Sequence, residues 1–106
     1  MSGVELLVVM VPVARCDEVV DALIALEEVA GFTRSRAAGF GREHSHFSLR
    51  ESVQGYLDQE RFELICEHDQ VDGVLERVRA LAGRDRFFYW VSPLTRSGRL
   101  GTPASG

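Results

Sequence analysis

Two histidines in the middle of the chain have the residue type and spacing best suited to ligand chemistry. His44 and His46 alternate within a polar stretch, so both side chains lie on one side of an extended segment. Neutral imidazoles commonly ligate divalent transition metals, and the adjacent Glu43 adds a carboxylate. The pattern predicts a metal site formed by His44, His46 and Glu43, with His68 as a further candidate ligand. The alternative is a pair of solvated histidines that hold no ion.

The composition limits the classes of function. The chain has 106 residues, one domain's length, and 45% of them are hydrophobic, as in globular proteins. A net charge of −4 argues against non-specific binding to nucleic acid or to a membrane surface. Every basic residue is an arginine, which excludes lysine Schiff-base chemistry but suits anion binding. The apolar N-terminal run is too short to span a bilayer, so we expect no membrane insertion.

The two cysteines indicate a reducing compartment. Cys16 and Cys66 are far apart and form no CxxC motif, which favours a cytoplasmic protein without disulfides. Cys66 alternates with Phe62 and Leu64, so we expect a buried structural thiol. Cys16 precedes a predicted helix, whose N-terminus would lower the pKa of a thiol.

The hydrophobic pattern predicts a single domain over residues 1–95 with the element order β-α-β-β-α-β. The predicted strands are 4–11, 32–39, 61–67 and 87–91, and the predicted helices are 17–30 and 69–82. A long polar loop over about 40–59 and a flexible tail over 96–106 complete the chain. Two right-handed crossovers then give an α+β, ferredoxin-like fold. Its four-stranded antiparallel sheet has the order 4-1-3-2, with both helices on one face.

The first and last strands carry more apolar surface than one layer of helices can cover. The first strand is apolar on both sides, and the last strand begins with four consecutive aromatic residues, Phe87 to Trp90. The uncovered face would exceed the apolar patch that a monomer usually exposes. We therefore expect this face to be buried against other copies of the chain.

The turn Gly39-Phe40-Gly41-Arg42 and the order of elements carry a resemblance to a known superfamily. Two glycines in this turn would allow positive φ angles and a close approach by a ligand or another chain. In PII-like signalling proteins a similar turn leads into a mobile loop that contacts partners and closes on effectors. The resemblance covers Val4 to Leu100 and is nearest to an uncharacterised branch encoded beside heavy-metal efflux systems. It implies a homotrimer whose three sheets face inward.

The same resemblance implies where a ligand would bind. Nucleotide-binding PII proteins hold their ligand in the cleft between subunits. The corresponding regions here offer an anion site built from Arg34, Arg36, Gly39, Gly41, Arg42, Arg84, Arg86 and Arg99. The usual phosphate loop with glycine and lysine is replaced by a short segment without lysine, residues 82–86, so nucleotide binding stays open. Ordinary surface charge is the alternative role for these arginines.

No pattern of catalytic residues emerges, since the chain has neither a nucleophile elbow nor a carboxylate pair placed by its spacing. We expect a non-enzymatic, cytoplasmic regulatory protein that binds a small ligand, foremost a divalent transition metal, and signals through its long loop. One alternative is a sensor of a nucleotide or another anion at the cleft between subunits. The other is an interaction module that docks on a membrane transporter or efflux component and binds no small ligand.

Overall fold

A computed structural model describes residues 3–40, 51 and 55–101 of the chain. Within these ranges the elements are β1 (Val4–Pro12), α1 (Cys16–Ala25), β2 (Phe32–Gly39), β3 (Leu57–Glu67), α2 (Val71–Ala82) and β4 (Phe88–Leu94). Single 3-10 turns, Val13–Arg15 and His68–Gln70, lead into the two helices. The strands form one antiparallel sheet in the order β2-β3-β1-β4. The predicted ferredoxin-like α+β fold and its strand order are confirmed.

The core lies between one face of the sheet and both helices. From β1 the side chains of Leu7, Val9 and Val11 point into it, and each is at most 2% exposed. The other strands and the helices complete this cluster with Cys16, Val19, Leu23, Phe62, Leu64, Cys66, Val71, Val74 and Val78. Neither helix in the described ranges is long and apolar enough to cross a membrane.

The opposite side of the sheet, here called the open face, is partly covered by the sheet's own side chains. Val8 points to this face and is fully buried, although no described helix covers it. Its neighbours in register are Glu63 on β3 and Trp90 on β4. The guanidinium of Arg61 reaches across β1 to lie 5.4 Å from the Trp90 ring centroid, and its Nε donates to Glu63 Oε1 at 3.1 Å. The expectation of a wholly bare apolar face is therefore wrong for its centre.

Helix α1 is shorter than its apolar pattern predicts. It ends at Ala25 instead of Ala30, because Leu26 takes an extended conformation at φ −87° and ψ 118°. The backbone N–H of Leu26 donates to the carbonyl of Leu23. Leu26 and Val29 still pack against the core from the connection to β2. Ile24, an apolar residue of the same helix, is 70% exposed.

Two strands extend beyond their predicted ends. β3 begins at Leu57, four residues before Arg61, because its polar first half pairs with both β1 and β2. The long loop therefore ends before residue 57 and not near 59. β4 runs through Pro93 and ends at Leu94, three residues beyond its predicted end at 91. Pro93 lies opposite Glu5 of β1, and an edge strand can hold a proline whose missing donor faces outward.

Two glycines, one inside α2 and one at its end, provide a matched pair for testing the backbone conformation of the helix. Gly73 lies inside α2 with no atom close to an added Cβ, whereas Gly83 ends the helix at φ 58° and ψ −119°. Gly73→Ala should raise the free energy of unfolding by about 0.5–1 kcal/mol, because alanine loses less backbone entropy. Gly83→Ala should lower it by about 1–3 kcal/mol through strain. Urea unfolding at one protein concentration measures both. Equal stability of the two variants would contradict the described helix end.

Candidate functional site

An aromatic pair stands where the chain leaves β2 and returns to β3. Gly39 pairs with Leu57 at the end of the β2–β3 ladder. One residue further out, the rings of Phe40 and Tyr56 lie 5.4 Å apart between centroids, tilted by 39°. The buried Glu51 accepts a hydrogen bond from the backbone N–H of Asp58 through its carboxylate. These contacts fix the two ends of the connecting segment side by side.

Glycine is needed at position 39 because another group of the chain approaches it closely, and not because its φ angle is positive. Positive φ angles occur at Gly55, Gly83 and Gly101 among the described residues, so the positive φ expected at Gly39 is wrong. A Cβ added at Gly39 would lie only 2.8 Å from Cδ of Gln59, a side chain that is 5% exposed. The group that approaches Gly39 is thus a buried amide of the same chain.

The predicted metal ligands lie mostly outside the described residues. This holds for Glu43, His44 and His46, and equally for Gly41 and Arg42 of the turn. Within the described ranges, no group of three His, Cys, Asp or Glu side chains could hold a metal ion.

The third histidine, His68, is engaged with a carboxylate. Its Nδ1 lies 2.6 Å from Oε1 of Glu5, and this hydrogen bond is the main reason that the pKa of His68 is raised. His68 follows Glu67, the last residue of β3. The segment that carries His44 and His46 joins β3 at its other end, at Leu57. The position and partner of His68 thus differ from those expected of a further ligand beside those histidines.

Arg34, a predicted anion ligand, pairs with a buried carboxylate of the neighbouring strand. Its Nε donates to Glu60 Oε1 at 3.0 Å, and its terminal nitrogen donates to the other oxygen of the same carboxylate. The guanidinium also lies 5.7 Å from the ring centroid of Phe62. Glu60 is 7% exposed, and the hydrogen bond from Arg34 is the largest cause of its lowered pKa. An external anion would have to compete with Glu60 for Arg34.

Both cysteines are buried. Cys66 is 3% exposed within the core, which confirms the expected buried thiol. Cys16 is 2% exposed, and its Sγ contacts the carbonyl oxygens of Val11 and Pro12. Burial, followed by the nearby Glu60, raises the pKa of Cys16 to about 12. The lowered pKa expected for a thiol at a helix N-terminus is therefore wrong, because desolvation exceeds the effect of the helix.

The other predicted anion ligands do not converge within one chain. Arg36 is on β2, one edge of the sheet, whereas Arg84 and Arg86 precede β4, the other edge. Arg86 lies beside Pro12, where β1 ends, and Arg99 lies beside Leu6 and Ile65 toward the opposite end of the sheet. A single chain therefore offers separate basic positions, and a second copy would be needed to join the two edges.

Arg15 was not singled out from the sequence, yet it ties three parts of the chain together. It donates to Asp85 Oδ2 at 2.6 Å, to Glu18 and to the backbone carbonyl of Leu81. Its guanidinium lies 5.7 Å from the ring centroid of Phe87. The connection between α2 and β4 is thereby fixed against the start of α1. The sequence signal is weak, because two of the three partners, Asp85 and Leu81, lie 70 and 66 residues away from Arg15.

Cavities open on both sides of the sheet. One, of about 240 Å³, lies between α2 and β4, with Val9 and Val78 among its lining residues and Arg79, Arg86 and Tyr89 around them. Another, of about 470 Å³, lies on the open face between the sheet and the segment after β4, and Ile65, Glu63 and Arg99 contribute to it.

The sequence comparison identifies the family. The sequence profile described as "Protein of unknown function (DUF3240)" matches residues 1–101. The chain belongs to the DUF3240 family. A search of curated proteins finds no match to it.

Solved structures support the fold within and beyond this family. The crystal structure of a DUF3240 family protein from Shewanella baltica OS155 is similar at a TM-score of 0.80 and 29% identity, covering 95% of this chain and 100% of that one. A Bacillus cereus protein related to NIF3 is similar at a TM-score of 0.69 and 20% identity. That match covers 93% of this chain but 27% of the other, and at this identity it supports the fold alone.

The pair formed by Arg34 and Glu60 predicts a pH-dependent stability difference. The pKa of Glu60 is lowered in the folded chain, so the pair stabilises the fold above the unfolded-state pKa of about 4.3 and loses this contribution as the pH falls through the folded-state pKa. Arg34→Gln should therefore lower the melting temperature clearly at pH 7 and much less near pH 3.

Arg36→Gln is the matched comparison, because Arg36 lies on the same strand as Arg34 and opposite Glu60 but contributes less than Arg34 to the lowered pKa of Glu60. It should change the melting temperature less than Arg34→Gln at pH 7, as measured by circular dichroism. Equal effects of the two substitutions, or an Arg34→Gln effect that does not depend on pH, would refute the assigned role of Glu60.

Proposed function

We propose that this DUF3240 protein is a non-enzymatic regulatory protein of the PII-like type that works as a homotrimer in the cytoplasm and senses a small ligand. The observation that carries the proposal is the group of exposed apolar side chains on the open face. Ile65, Phe88 and Trp90 are 54%, 64% and 42% exposed, and all three point away from the helices. Large apolar side chains grouped on one face are typical of a protein interface.

The centre and the rim of the open face suit an interface in different ways. At the centre, Arg61 stacks on Trp90 and bonds to Glu63, so the charges there are already paired and stacked within the chain. At the rim, Ile65 on β3 and Phe88 on β4 offer apolar contacts on either side of β1. Burying this rim against other copies removes apolar area from water, while Arg61 and Glu63 at the centre keep each other as partners.

The proposed output element is the segment that links β2 to β3, residues 40–56. The Phe40–Tyr56 pair and the Glu51–Asp58 hydrogen bond hold its ends at the sheet. A conformational change within this segment would therefore leave its two ends in place at the sheet. The proposed partner is a membrane transporter or efflux component, because the PII-like branch that the chain resembles is encoded beside heavy-metal efflux systems. The proposed ligand is a divalent transition metal held by His44, His46 and Glu43.

A second candidate is a sensor of a nucleotide or another anion in place of a metal ion. The observation in its favour is the placement of Arg79 and Arg86 beside the cavity between α2 and β4. A third possibility, an interaction module without a small ligand, is tested by the failure of both metal and anion binding.

The assembly is tested with charges placed on the open face. Light scattering should give about 35 kDa for the wild-type protein, three times the chain mass of 11.8 kDa. The double variant Ile65→Glu with Phe88→Glu should dissociate, with association weakened at least about tenfold, or about 1.4 kcal/mol. Both positions are exposed in the single chain, so the variant should remain folded.

Ile24→Glu is the matched control for the assembly. It makes the same substitution at an isoleucine that is 70% exposed on α1, away from the open face. This variant should keep the wild-type mass. A wild-type protein that is monomeric at micromolar concentration would refute the proposed assembly, as would equal dissociation of the Ile24 variant.

Metal binding is tested with the two histidines of residues 41–50. The double variant His44→Ala with His46→Ala should weaken binding of Zn2+, Cu2+ or Ni2+ at least about tenfold, or about 1.4 kcal/mol. Affinity of the wild type should fall below about pH 6, where imidazoles protonate and no longer coordinate. Isothermal titration calorimetry measures both effects.

His68→Ala is the control for metal binding, since it removes the remaining histidine, whose partner is Glu5. It should bind metal as the wild type does. Wild-type binding that is absent or independent of pH would refute the metal proposal. So would a His44/His46 double variant that binds as tightly as the wild type.

A further inference from the structure

We infer that the cavity between α2 and β4 binds a small carboxylate with an apolar body. The inference rests on the proposed role of the protein as a ligand-binding regulator. It names a ligand class for the second candidate function, that of an anion sensor. Three features carry it: an apolar floor, a basic rim, and a position on the side of the sheet opposite the open face.

The floor of the cavity is apolar and belongs to the packed core. Val9 of β1 and Val78 of α2, 2% and 4% exposed, lie at its base, and Phe87 and Leu75 extend its apolar lining. With a volume of about 240 Å³, the cavity lies below the usual range for drug-sized ligands of about 300–1,000 Å³. Its size and lining therefore suit a single ring or a short branched chain.

The rim carries more positive than negative charge on a chain that is acidic overall. Arg79 and Arg86 line the cavity together with one aspartate, Asp85. Asp85 receives a hydrogen bond of 2.6 Å from Arg15, which offsets its negative charge. Arg79 pairs with Glu76 in an exposed ion pair, of a kind that contributes little to stability and can be exchanged for a ligand.

The shape of a guanidinium favours a carboxylate as the polar end of the ligand. Each guanidinium has five N–H donors, so Arg86 can bind an anion in addition to a protein partner. Two parallel N–H donors match the two oxygens of a carboxylate. The half-exposed ring of Tyr89 stands beside the same opening and can pack against an apolar body. An apolar carboxylate therefore matches both the floor and the rim.

The position of the cavity separates it from the proposed interface between copies. Tyr89 points to the helix side of β4, whereas its neighbours Phe88 and Trp90 point to the open face. A ligand in the cavity would thus contact one side of β4 while another copy contacts the other side. Ligand binding and assembly can therefore be measured independently in the same sample.

The experiment titrates the full-length 15N-labelled protein with phenylacetate and with the uncharged isostere phenylacetamide. Phenylacetate should bind in the millimolar range, because a small ligand has few atoms from which to gain binding energy. The changes in backbone amide chemical shift during the titration should be largest at Val78, Phe87 and Tyr89. Phenylacetamide should bind about tenfold more weakly, because it lacks the charge that guanidinium groups recognise.

The arginine variants decide whether the rim binds the carboxylate. Arg79→Gln with Arg86→Gln should weaken phenylacetate binding about tenfold and leave phenylacetamide binding nearly unchanged. Arg77→Gln, on an exposed position of α2 outside the cavity, should match the wild type. All three positions are exposed, so the variants should fold.

Three results would overturn the inference. Equal affinity for the two probes would show that no carboxylate is recognised. Saturable chemical-shift changes at residues other than Val78, Phe87 and Tyr89 would place the site elsewhere. Chemical-shift changes that do not saturate would show that there is no specific site. Light scattering on the same samples reports assembly separately, so a monomer that binds phenylacetate refutes the proposed trimer and leaves the cavity assignment intact.

Discussion

The central strand β1 must be kept from water on both faces, and the rest of the architecture follows from this requirement. On one face Leu7, Val9 and Val11 are covered by the two helices. On the other face no described helix is present, and Val8 is nevertheless fully buried. Side chains of the flanking strands supply that cover. A sheet with helices on one side can thus bury a strand that is apolar on both sides.

Arginines provide much of this cover and of the contacts between elements. Three of them combine the same two interactions, since each pairs with a carboxylate and lies over an aromatic ring. Arg34 joins β2 to β3, Arg61 reaches from β3 across β1 to β4, and Arg15 joins the start of α1 to the α2–β4 connection. A planar guanidinium can pair and stack at once, which an ammonium group does less well. This dual use gives a structural reason for a chain whose cations are all arginines.

The sequence predicted the fold well because the fold depends on periodicity. The apolar run of β1, the polar edge strand β2 and the stripe of α2 each reflect burial directly. Errors arose where polar residues are buried through distant partners. Gln59 and Glu60 are polar residues typical of a loop, yet both lie in β3, where Gln59 packs against Gly39 and Glu60 pairs with Arg34. These contacts join residues 20 and 26 positions apart, and no local pattern encodes them.

The candidate site could be predicted less well for the same reason. The sequence shows arginines on β2 and before β4 as groups of cations. Their roles depend on partners that the sequence does not place nearby: Glu60 for Arg34, and an apolar cavity beside Arg86. Arg15 was passed over because nothing close to it in the chain marks its bond to Asp85. Composition thus identifies the chemistry available, and tertiary contacts decide where it is used.

Proline at position 93 has a consequence for how sheets from different chains can meet. β4 is an edge strand, and Pro93 lies within it opposite Glu5. It offers no N–H donor to a strand that approaches from outside. An incoming strand would find a continuous ladder only along residues 88–92 of β4, so unlimited edge-to-edge growth into a fibre is discouraged. A strand edge of this kind disfavours edge-to-edge contacts between chains and leaves the face of the sheet as the surface on which a closed assembly can form.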